Sequence, residues 1–158
     1  GIACALHFDC TVDLGEVDAG ALEVCERNIH RHGVQDRVRA VCSDLYEALS
    51  GRRYDLIVSN PPDVPTAEWR ALAPEYQHEP RLALDAGNDG MDLVARILCR
   101  AVDFLTPDGV LICEVGGSQD AFEARWPRLP VVWIEFERGG DGVFLIGRQA
   151  LLEARDSL

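Results

Sequence analysis

The sequence predicts an α/β layered domain, with a mostly parallel sheet and one antiparallel strand near its C-terminal end. Three observations lead there. Strand-like and helix-like segments alternate along the chain. Two strand-like runs, "YDLIVSN" and "GVLICEVG", are apolar without interruption at their centres, the pattern of strands buried on both faces of a parallel sheet. The chain then closes on two strand-like runs joined by "RGGDG", a glycine-rich turn that reads as a hairpin.

The elements follow in order. "GIACALHF" reads as the last turns of a helix. No strand or glycine-rich loop stands before it, so the domain reads as truncated at its start, or its beginning lies outside this sequence. "TVDLGEVD" gives a short strand at Thr11 to Leu14 and then turn residues. "DAGALEVCERNIHRHG" gives a helix, with Ala21, Leu22, Cys25 and Ile29 near a 3.6-residue repeat and Gly33 placed to end it. "RVRAVCSD" is a second strand and "YDLIVSN" a third. "GMDLVARILCRAVDFL" is a long amphipathic helix stopped by Pro107 and Gly109, and "GVLICEVG" is the next strand. "SQDAFEARW" is a short helix with Ser118 at its N-cap. "VVWIEFE" and "GVFLIGR" form the closing hairpin. The domain spans 1–150, and 151–158 reads as a C-terminal tail.

Composition sets the outer limits. A chain of 158 residues suffices for one domain, and a domain of that size buries about 70% of its unfolded surface. At 47% hydrophobic residues it is too apolar for a disordered chain. No apolar run is long enough to cross a bilayer, and no secretion signal opens the chain, so a cytoplasmic location is expected. A formal charge of −12 repels phosphate backbones, so non-specific nucleic-acid binding is not expected; the scattered acids read equally as a solvated surface or as a field that draws in a basic protein partner. The six cysteines form no C-x-x-C pair, which makes zinc and thioredoxin-like readings weak and points to free, buried thiols in a reducing compartment.

The candidate chemistry sits at strand ends. In open α/β sheets, ligands bind beyond the carboxyl ends of the strands. Glu16 follows the first strand, where an acid can accept hydrogen bonds from ribose hydroxyls. Asp44 follows the second, where it can take a hydrogen bond from an adenine amino group or serve equally as the N-cap of a helix through Leu49. The sharpest feature is "NPP", Asn60 to Pro62, at the exit of the third strand. Asn and Pro are ordinary turn residues. At the end of so apolar a strand, however, the prolines also fix the backbone and so hold the Asn60 side chain and the Pro61 carbonyl in set directions. Two carbonyl oxygens held side by side suit a planar NH2 group, which has two donors.

"DLIVSNPP", "EYQHEPRLALDAGNDGMDL", "DGVLICEVG" and "FERGGDGVF" together resemble the glutamine-N5 protein methyltransferases, which carry an N-P-P-Y/F motif and use S-adenosylmethionine. Within that family, "EYQHEP" and "WIEFERGGDGVF" are most similar to the branch that methylates ribosomal protein L-three, with the release-factor branch a close relative. The resemblance covers Gly1 to about Ala150. It implies a Rossmann-like methyltransferase sheet whose first strand and glycine-rich loop lie upstream of Gly1. It also implies that Glu16 and Asp44 hold the cofactor. Asn60 and Pro61 would hold the substrate amide and act in catalysis, with Asn60 also reaching the cofactor. Pro62, Asp63 and Tyr76 would line the substrate side, Asp63 standing where the family has Tyr or Phe. Val58 and Ser59 would line the approach, and Glu114 would sit behind the site. His78 and Glu79 could form a structural hydrogen-bond cluster with Tyr76 or take part in catalysis. The expected partner is a basic ribosomal protein, and the chemistry calls for no metal. Two other readings stay open: an adenine-N6 nucleic-acid methyltransferase, and a non-catalytic binding module descended from the same family.

Overall fold

The computed structural model describes residues 1–62 and 91–158. These form two compact units, Gly1–Arg52 and Arg53–Leu158. The roles expected of Asp63, Tyr76, His78 and Glu79 fall on residues outside those described.

In the first unit the opening segment is a helix, α1 (Ile2–His7), as its sequence suggests. Strand β1 (Val12–Glu16) leads into helix α2 (Ala19–Arg31), which begins where Asp18 accepts the Ala21 N–H at 2.8 Å. That bond satisfies one of the N–H groups a helix start leaves open. Gly33, at φ 66°, turns the chain out of α2. Strand β2 (Val38–Cys42) then pairs in parallel with β1, from Val12 opposite Val38 to Glu16 opposite Cys42. The core between helix and sheet is small: Ala5, Ile29, Val34 and Val38 are buried, with Ile2, Val12, Leu14 and Ala40 packed around them. On the exposed side Arg39 meets Asp13 across the pair at 3.1 Å. An exposed pair of this kind contributes at most about 1 kcal/mol, so the apolar contacts hold this unit.

The second unit is a four-stranded sheet in the order β3-β4-β6-β5. Its strands are β3 (Tyr54–Ser59), β4 (Leu105–Glu114), β5 (Val132–Ile134) and β6 (Val143–Gly147). β3 and β4 are parallel, and β6 runs antiparallel to both of its neighbours, β4 and β5. The predicted antiparallel strand is therefore β6, inserted between β4 and β5, and the predicted hairpin is the β5–β6 pair. Helix α3 (Asp92–Phe104) passes into β4 at Leu105, so the helix ends before Pro107 and Gly109, which lie inside the strand. Helix α4 (Gln119–Arg125) starts at Ser118, but no side-chain hydrogen bond caps it, contrary to the predicted role of that serine. Helix α5 (Arg148–Glu153) carries fully buried Leu151 and crosses the position where the sequence suggests a tail.

Cross-strand partners share a face. Leu111, Cys113, Phe144 and Ile146 therefore point to one side, all at 1% exposure or less. α3 and α5 pack on β4. An aromatic group fills the β5 end of the same side. Phe122 lies 4.6 Å from Phe144, 5.0 Å from Trp126 and 5.5 Å from Trp133, ring centre to ring centre.

The other side departs from expectation. β3 does not have both faces buried: Leu56 and Val58 are 47% and 65% exposed, and Val132 on β5 is 62% exposed. An unbroken apolar run shows that neither face suits water. It does not show what covers each face, and among the described residues the Leu56–Val58 side of β3 is open.

The loop between β5 and β6 is anchored at Gly142. The Val115 N–H donates to the Gly142 carbonyl at 2.8 Å, and a Cβ on Gly142 would run into the Gly116 carbonyl oxygen. Gly142 also has φ 69°, where a side chain is strained. Gly139 has a similar φ, 64°, with nothing near its Cβ position. Gly139→Ala should therefore cost about 1–2 kcal/mol from the backbone alone. Gly142→Ala should cost clearly more, because the Gly116 backbone has to move as well. Thermal unfolding of the two variants side by side checks this; equal losses would show that the close approach contributes nothing.

Candidate active site

Both groups of candidate residues lie at the carboxyl ends of parallel strands, one group in each unit. In the first unit, Glu16 ends β1 and Asp44 lies two residues beyond β2. The strand register places Glu16 opposite Cys42, and the next rung is the Ser43 N–H donating to the Glu16 carbonyl at 2.9 Å. The two acids therefore follow the ends of neighbouring strands, Asp44 two residues past the partner of Glu16. Glu16 Oε1 accepts the Asp18 N–H at 2.9 Å, which orients the carboxylate at the turn into α2.

Asp44 does not cap a helix. The chain after it forms a single 3-10 turn, Glu47–Leu49, whose N-cap position belongs to Tyr46. Ser43 takes the capping part instead: its Oγ accepts the Ala48 N–H at 3.0 Å and donates to the Leu45 carbonyl at 2.8 Å. The N-cap reading of Asp44 is therefore set aside.

In the second unit, β3 ends at Ser59, opposite Cys113 of β4. Asn60 is exposed, Pro61 is buried and Pro62 is half-buried. A buried proline behind an exposed amide is the arrangement a fixed acceptor needs, with an anchored backbone and an open side chain. Ser59 and Val58 lie on opposite faces by strand alternation, so only one of them can share a face with a ligand at the strand end. Glu114 lies one residue past Cys113 and pairs with Val143 of β6. The exits of β3 and β4 and the start of β6 thus meet at one edge, tied by the Val115–Gly142 bond.

Among the described residues no cluster of three or more His, Cys, Asp or Glu side chains could hold a metal, and no helix is long and apolar enough to cross a membrane. All six cysteines are free, but Cys42 is exposed and four others are half-buried, so only Cys113 is a fully buried thiol of the kind the sequence suggests. Burial, helped by the neighbouring Glu114 charge, pushes its pKa from 9.0 to about 12. It is an inert packing group.

Sequence reasoning missed Ser43, which carries no known motif. The spacing that could have revealed it is a serine with an N–H five residues on, at the start of a short turn. It also missed the contact between Gly116 and Gly142, since the two glycines lie far apart in the chain.

Residues 1–71 match the family model described as "Methyltransferase small domain". The chain is 45% identical over 158 residues to a ribosomal protein uL3 glutamine methyltransferase of Francisella tularensis, covering 99% of this chain and 50% of that protein. It is 47% identical over 153 residues to the protein of the same name from Neisseria gonorrhoeae, covering 96% of this chain and 50% of that protein. The chain thus spans about half the length of the curated relatives it matches. Among solved structures, a methyltransferase from Pyrococcus furiosus superposes with a TM-score of 0.63 at 22% identity, covering 93% of this chain and 67% of that one. That likeness shows the methyltransferase fold.

Because Cys113 titrates higher folded than unfolded, the folded state holds its proton longer as pH rises. The stability linked to that proton is complete below pH 9 and is lost as pH climbs through about 12. Denaturant midpoints measured above pH 9 should therefore fall with pH, and the slope should be shallower in Cys113→Ala. Equal slopes would show that the buried thiol plays no part.

Proposed function

We propose that the protein belongs to the methyltransferase family of these relatives and methylates the side-chain amide nitrogen of a glutamine in ribosomal protein uL3, using S-adenosylmethionine. The observation that carries this reading is the 45% identity, over 99% of the chain, to a protein so named. The exposed Asn60 on a buried Pro61, at the exit of a parallel strand, supplies a chemical basis. The charge of −12 suits a basic ribosomal protein, and a cytoplasmic location follows from that substrate.

The residues present fit the cofactor by the chemistry of their donor set. Glu16 and Asp44 offer carboxylate acceptors at neighbouring strand ends, suited to ribose hydroxyls and an adenine amino group. When bound, S-adenosylmethionine supplies an electrophilic methyl group on a positively charged sulfur. The remaining work belongs to the protein. A glutamine nitrogen is a poor nucleophile, because its lone pair is delocalised into the carbonyl. The Asn60 side-chain oxygen and the Pro61 carbonyl would each accept one of its N–H groups. That leaves electron density on nitrogen, holds the amide in one orientation and excludes water. The gain is positioning and electrostatics, and effects of this class reach about 7–11 kcal/mol in favourable cases. The proton can leave after transfer.

The test is incorporation of labelled methyl from S-adenosylmethionine into uL3 by the full-length protein. Asn60→Ala should lower the rate about a hundredfold or more, the loss seen when one fixed polar contact to a reacting group is removed. Undiminished transfer by that variant would remove the proposed amide clamp. Transfer to nucleic acid instead of uL3 would overturn the substrate assignment.

A further inference from the structure

We propose that Ser43 is a positioning residue for the cofactor, fixing the turn that presents Asp44 beside Glu16; the inference rests on the proposed role of Asp44. Ser43 is the buried polar side chain among the described residues, at 6% exposure. It makes three hydrogen bonds that all bear on the two acids. Its N–H reaches the Glu16 carbonyl at 2.9 Å, which ties the exit of β2 to the exit of β1. Its Oγ donates to the Leu45 carbonyl at 2.8 Å and accepts the Ala48 N–H at 3.0 Å.

Leu45 is the other half of the device. Its φ is 49°, and no other non-glycine residue among those described has a positive φ. A leucine resists that conformation, so something must hold it there. The Ser43 hydroxyl grips the Leu45 carbonyl from one side. The Asp44 carbonyl accepts the Glu47 N–H at 3.2 Å on the other. Leu49, 8% exposed, and Tyr46, 7% exposed, anchor the turn in the core. Gly15 leaves the facing stretch of β1 without a side chain, and a Cβ there would sit 3.6 Å from the Leu45 carbonyl oxygen. Asp44 is thus set between two pinned backbone points, one of them held by the Ser43 hydroxyl. A hydroxyl that merely closed a turn would affect folding. One that aims Asp44 affects cofactor affinity through Asp44 and through no other group.

A double-mutant cycle separates these roles. Calorimetric titration of the full-length protein with S-adenosylmethionine should show affinity about tenfold weaker in Ser43→Ala, within the range of coupling between neighbours. Ser43→Thr, which keeps the Oγ, should restore it. Ser43→Ala added to Asp44→Ala should cause little further loss. Should Ser43→Ala be unfolded at the assay temperature, Ser43→Cys takes its place, similar in size with a weaker donor. Unchanged affinity in Ser43→Ala, or losses that multiply in the double variant, overturns the inference while leaving Asp44 as a cofactor residue. Unchanged affinity in Asp44→Ala overturns the reading of Asp44 and the inference with it.

Discussion

A parallel strand pair brings two chain exits to one edge of the sheet, and the candidate chemistry of this protein depends on that constraint. In the first unit the register of β1 on β2 sets Glu16 opposite Cys42, so Asp44 follows two residues past the partner of Glu16, at the same edge. In the second, the register of β3 on β4 sets Ser59 opposite Cys113, so Asn60 and Glu114 follow at the same level. An antiparallel pair would send the two exits to opposite edges. The spacing of these chain exits therefore follows from hydrogen bonds in the sheet.

At each exit backbone groups and small side chains hold the chain. Asp18 and Ser43 accept N–H groups at turn starts, Pro61 is buried behind Asn60, and the Gly142 carbonyl takes the Val115 N–H. The ion pair between Arg39 and Asp13 is on the exposed side and contributes little. Salt should therefore disturb the sheet edges less than a change at one of these small residues would.

Much of this was legible in the sequence. Helical periodicity located α2 and α3, and unbroken apolar runs located β3 and β4. The glycine-rich "RGGDG" located the β5–β6 connection, where Gly139, Gly140 and Gly142 all have positive φ. What escaped was information that sequence does not carry locally. Leu56 and Val58 are apolar yet exposed, because burial depends on a neighbouring layer and not on the residue itself. Ser118 has the right type and position for a cap but makes no capping bond. Asp44 looked as much like a cap as a ligand group, because the competing serine beside it carries no motif.

The same contrast explains why Asn60 reads clearly and Ser43 does not. A residue that meets a ligand must stand out from its surroundings: an amide and two prolines at the end of an apolar strand break the local pattern. A residue that aims another side chain is selected for the opposite property. Ser43 is small, buried and fully engaged, so only its bonds distinguish it from a packing residue. An unsatisfied hydroxyl at that position would be costly, so the hydrogen bonds are a condition of burial. Their direction is not. Both point along the turn toward Leu45 and Ala48, and that direction holds Leu45 at φ 49° and with it the path of the chain at Asp44.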